Sequence, residues 1–130
     1  MMKEEIKEKY ADVLEVAEKF LEEWSAGHHG RMGRYIQKSW LHGQGMKWKK
    51  ILKTITARGD IEKYSIKKIH RVGDCCVDVI FTAELKTLTG KSKMFGFMRM
   101  LQEDAMGRPN KKGSWGVNPH SLLRSDFKEG

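Results

Sequence analysis

A single change of rhythm constrains what this chain can become. Up to residue 57 apolar side chains recur every three or four positions, and after Gly59 they recur close to every second position. A period near 3.6 lines up on one side only in a helix, and a period of two only in a strand. The chain therefore predicts helices first and strands second, joined across Ala57-Arg58-Gly59. Its 130 residues make about one domain's worth of core. Helices followed by hairpin-connected strands predict an α+β fold, with the helices packed on an antiparallel sheet.

In the helical half, Ile6, Tyr10, Val13, Ala17, Phe20 and Trp24 share a stripe that Leu14 and Leu21 widen. This spacing predicts one long helix over 4–26, stopped by Gly27. Met32, Tyr35, Ile36 and Trp40 predict a shorter helix over 30–41, in which Gly33 costs about 1 kcal/mol relative to alanine. "HGQG" at 42–45 breaks it. Trp48, Ile51, Leu52 and Ile55 then share a face of a third helical piece over 46–57, with Lys49, Lys50 and Lys53 turned away.

In the other half, "IEKYSIKKIHRV" predicts a strand in which Ile66 and Ile69 can share a face only through a bulge. "CCVDVIFTAELKT" alternates cleanly, with Val77, Val79, Phe81, Ala83 and Leu85 on one face. "KSKMFGFMRMLQED" is apolar on both faces: Met94, Met98 and Met100 on one, Phe95, Phe97 and Leu101 on the other with Arg99. A strand of that kind predicts that the far face of the sheet is covered too, as a partner subunit would do. A last strand, "SWGVNPHSLL", is weakened or ended by Pro119. The expected domain is 1–124, with 125–130 as a frayed tail.

The net charge of +8 is uneven: −4 over residues 1–25, +10 over 26–73 and +2 over 74–130. Lys49, Lys50, Lys53, Arg58 and Lys67, with Trp48 and Tyr64 among them, raise nucleic acid as a possible partner, since phosphates need clustered cations and bases need exposed aromatics. A solvated basic face is the simpler expectation. Trp48 falls on an apolar stripe, and no nucleic-acid-binding module is recognisable. No apolar run approaches the roughly 20 residues that span a bilayer, so no membrane role is expected. "MMKEEIKEKY" lacks a signal peptide's apolar segment, which makes cytoplasmic the expected location. Cys75 and Cys76 are adjacent and read as reduced thiols filling small apolar spaces.

Few residues supply chemistry. His28 and His29 cannot face one metal together, and no further ligand follows at metal spacing, so they read as an inter-helix joint; no metal and no cofactor are expected. His42, His70 and His120 are the candidates for a general base, His120 and His70 as strand residues. A surface or hydrogen-bonded structural role is the plainer expectation for each.

"FLEEWSAG" ending a long first helix, two further helical pieces, and a sheet whose last strand begins "GSW" resemble the nuclear transport factor two-like superfamily in layout, over about residues 4–123. The resemblance implies a cone, a curved sheet wrapped on the long helix, with a pocket inside and often a homodimer joined through the sheet. Among similar chains, ketosteroid isomerase places a donor tyrosine two turns before the Ala-Gly helix end and a carboxylate base further on. Here Phe20 and the neighbourhood of Gln44 hold those positions, and no Asp or Glu lies between Gly27 and Asp60. That activity is not expected. On this layout a pocket would be lined by Phe20, Trp24, Tyr35, Trp40, Phe97, Met98, Arg99 and Trp115, with Arg99 anchoring a small apolar or anionic ligand. The expected role is a non-catalytic ligand-binding or protein-interaction domain. The alternatives are a dehydratase, cyclase or isomerase using histidine, and a basic accessory protein touching nucleic acid.

Overall fold

The computed structural model describes residues 4–129. The fold is α+β. Helices α1 (Glu4–Lys9), α2 (Ala11–Ser25), α3 (Lys38–Gln44) and α4 (Trp48–Thr56) precede strands β1 (Asp60–Gly73), β2 (Cys76–Thr87), β3 (Gly90–Glu103), β4 (Ser114–Asn118) and β5 (Asp126–Glu129). The sheet is an antiparallel meander, β1-β2-β3-β4, and β5 pairs with β3 beyond the end of β4.

The stripe read from the sequence becomes the core face of α2. Val13, Ala17, Phe20, Leu21 and Trp24 are buried against Val77, Val79, Phe81, Ala83 and Leu85 of β2 and Met94, Met98 and Met100 of β3. Ile6, at the head of that stripe, lies outside the residues whose side chains are described. The helix ends as Ala26-Gly27 predicts. Gly27 is left-handed (φ 77°), and the His28 N–H donates to the Glu23 carbonyl at 2.9 Å, which satisfies one of the last-turn carbonyls. The bulge that Ile66 and Ile69 require is present: the register with β2 shifts between Ile66 and Lys68, and both isoleucines pack on the core.

Several boundaries differ from the periodicity. The first helix is interrupted at Tyr10 (φ −114°, ψ 23°), whose ring lies 5.3 Å from the Arg71 guanidinium carbon; nothing in the apolar spacing marks the break. The second predicted helix is a 3-10 segment, His29–Tyr35, followed by an extended Ile36 and then α3. Gly33 lies within that 3-10 segment. Its Cα approaches Trp48 so closely that a Cβ would sit 2.8 Å from the indole ring. The predicted last strand stops at Asn118 and continues as a 3-10 segment, Pro119–Arg124, so His120 is not a strand residue; the proline lacks the N–H a ladder needs. Residues 126–129, expected in a frayed tail, form β5. β4 occupies only the Arg99–Glu103 end of β3, leaving Ser92–Phe95 free to pair with a short charged segment whose four residues carry too little pattern to read.

Segment 36–38 crosses close beside β4: Ile36 bridges to Val117, and the Gln37 N–H donates to the Val117 carbonyl at 2.9 Å. A Cβ on Gly116 would lie 2.6 Å from the Gln37 Cα. Gly116→Ala is therefore expected to lower stability by about 1–3 kcal/mol in urea denaturation. Gly43→Ala, in α3 with nothing within 4 Å of the new carbon, is expected to leave it unchanged or raise it by up to about 1 kcal/mol.

Candidate functional site

The even positions of β2 and positions 95, 97 and 99 of β3 point away from α2. On this outer face Asp78 stands opposite Arg99, Ile80 opposite Phe97 and Thr82 opposite Phe95, while β1 adds His70 opposite Asp78 and Lys68 opposite Ile80. A groove of about 590 Å³ runs over them, floored by Ile80, Phe95 and Phe97 and edged by Lys67, His70, Asp78, Arg124 and Asp126. Arg99 does not point inward as an anion anchor. It holds Asp78 with two hydrogen bonds, Nε to Oδ1 at 2.9 Å and Nη2 to Oδ2 at 3.0 Å. That hydrogen bonding, opposed by some desolvation, keeps its guanidinium more firmly protonated than usual.

The eight residues expected to share a pocket do not surround one space. Phe20, Trp24 and Met98 are fully buried core, Trp40 is nearly so, and Tyr35 and Trp115 pack half-buried against its edge. Phe97 and Arg99 belong to the opposite face of the sheet. The histidines are scattered. His42 is exposed on α3, His70 is exposed on β1, and His120 accepts a 2.7 Å bond at Nδ1 from the Trp40 indole N–H, which leaves its ring proton on Nε2. The basic residues divide as well. Lys49 and Lys53 line a cleft beside α4, whereas Lys67 edges the outer groove; Lys50 is exposed and Arg58 half-buried. Among the described residues no group of three His, Cys, Asp or Glu is placed to hold a metal ion. Neither thiol is in a disulfide, and Cys76 is half-buried on the outer face opposite Leu101. Burial pushes its thiol up, with Arg99 pulling the other way.

The most enclosed polar cluster was not legible in the sequence. Glu103, 6% exposed, accepts from the Ser39 hydroxyl at 2.6 Å, the Gln37 side-chain amide at 2.8 Å and the Ser39 backbone N–H at 3.2 Å. Helix α3 has no side-chain cap at Gln37, so a carboxylate 64 residues away caps its first turn. The one available signal was Glu103 itself, an anion in register with Phe97 and Leu101 on a strand that is otherwise apolar there. No known protein family matches the chain, and no curated protein does.

Two outcomes follow from these environments. Glu103→Gln replaces one acceptor oxygen by a donor facing other donors, and is expected to cost about 2–3 kcal/mol by urea denaturation. In a Cys75→Ser background, Cys76 is expected to alkylate with iodoacetamide at pH 8 several-fold more slowly than free cysteine, because a raised pKa leaves less thiolate; unfolding in urea should remove the difference, as mass spectrometry would record.

Proposed function

We propose that this chain is a non-catalytic binding domain whose outer sheet face takes a protein surface, and that the partner is a second copy of itself. The observation that carries the reading is the row Ile80–Phe97 with Phe95 beside it. These are large apolar side chains in the middle of the sheet that stand outside the core cluster and floor an open groove, and Phe95 is 38% exposed. Groove-edge charges of both signs, Lys67 and Arg124 against Asp126, suit a two-fold contact in which a patch meets its own copy. The nuclear transport factor two-like layout supports the same reading. A small-ligand role with a pocket between helix and sheet has less support, because Phe20, Trp24 and Met98 fill that layer. A cytoplasmic location belongs to the reading and agrees with two unbridged thiols.

A histidine-dependent enzyme is the second reading, and it draws on the same groove, where His70 stands opposite Asp78. Arg99 engages both oxygens of Asp78, so this carboxylate is committed elsewhere than to orienting an imidazole. The nucleic-acid reading has less behind it, since Lys49 and Lys53 line one cleft and Lys67 another.

Native mass spectrometry and light scattering of the full chain test the proposal. A dimer at micromolar concentration is expected, and Ile80→Lys with Phe97→Lys should yield monomers with an unchanged circular dichroism spectrum. A wild-type monomer, or a dimer indifferent to both lysines, would overturn it.

A further inference from the structure

A second cleft, of about 350 Å³, opens on the side of the molecule between α4 and the turn that follows α2. Its walls come from two adjacent rows of α4. Trp48 and Leu52, one turn apart, form an apolar row, and Lys49 and Lys53 form a basic row beside it. Left-handed Gly27 turns the chain so that His29 closes the opposite side. The Nε2 atom of His29 is buried and meets no hydrogen-bond partner. No carboxylate lines the cleft: the titratable residues at its wall are His29, Lys49 and Lys53. Neither lysine is in an ion pair among the described residues, and Lys49 Nζ stands 5.7 Å from the centre of the Trp48 ring.

We infer that this cleft binds a small organic anion with a flat apolar body. The body lies against Trp48 and Leu52, and the anionic group sits between Lys49 and Lys53. Size argues for a small molecule over a polymer, since the cleft is at the lower end of the roughly 300–1,000 Å³ typical of such sites. Charge argues for an anion, since every ionisable group at the wall is a base. The anionic group is a carboxylate or a phosphate ester. The site is separate from the outer face of the sheet, so its failure would leave the dimer reading standing.

The test is an amide and indole N–H titration of the ¹⁵N-labelled full chain with phenylacetate, phenyl phosphate and uncharged phenylacetamide. Saturable shifts of the Trp48 indole N–H and of the His29 and Lys53 amides are expected with at least one anion, and about tenfold weaker binding with phenylacetamide. Tighter binding of one anion identifies the group. Lys49→Glu with Lys53→Glu should weaken anion binding at least about tenfold with the remaining spectrum intact, because both side chains are exposed. No saturable shift with either anion up to about 10 mM would overturn the inference. So would an equal response to phenylacetamide, shifts confined to residues away from the cleft, or undiminished binding by the double variant.

Discussion

The Trp24 indole is where the helical and the stranded halves of the chain are fastened. Its ring is fully buried at the end of α2, and its N–H donates to the Gly59 carbonyl at 3.0 Å. The next residue repeats the link, Ser25 Oγ donating to the Ile61 carbonyl at 2.8 Å. Gly59 must come close for this. Its φ is 151°, and a Cβ there would lie 2.9 Å from the Leu85 Cβ and 3.0 Å from the Lys86 carbonyl oxygen. The last turn of α2, the start of β1 and the end of β2 thus meet at one spot. Once it is fixed, the strand alternation decides which residues face the helix and which are left on the outer face.

Strand β3 carries the other half of the organisation. Its inward methionines fit the irregular space under α2, as unbranched polarizable side chains do. Its free edge is divided between β4 at one end and β5 at the other. Beyond β4 lies segment 36–38, held by the Val117 hydrogen bond and by Glu103. A buried anion is expensive unless it is hydrogen-bonded, and Glu103 takes three donors, one of them the Ser39 N–H that α3 must satisfy in any case. The sheet edge and the helix start are therefore stabilised by the same group.

How much of this could be read in advance follows from the range of each interaction. The α2 stripe, the alternation of β2 and the bulge between Ile66 and Ile69 are local patterns, and each appears where the spacing put it. Gly33, within the 3-10 segment His29–Tyr35, leaves room for Trp48, a neighbour fifteen positions on that no local period encodes. Arg99 and Phe97 share a face, as strand alternation implies, but the direction of that face is set by which side α2 covers. Glu103, Gln37 and Ser39 meet only after three elements have folded, and Gln37 and Ser39 read in isolation as ordinary helical residues.

The charge distribution obeys the same logic. The basic stretch and the acidic helix look like opposed blocks in the sequence, yet folding pairs only part of them. Helix α2 packs along β1, where the Tyr64 hydroxyl donates to Glu22 at 3.4 Å; burial first, then Glu22 and Glu18, push its phenol up to about 12. The acidic residues of α2 thus exert their field on β1. Helix α4 reaches the other side of the turn, where His28 faces Glu23 at 3.6 Å and the next histidine faces the lysines. One residue of difference separates a histidine beside a carboxylate from a histidine with a buried, unpartnered nitrogen in a basic cleft. Among the described residues no carboxylate pairs with Lys49 or Lys53, so the positive charge of that part of the basic stretch stays on the α4 cleft and is not neutralised inside the fold.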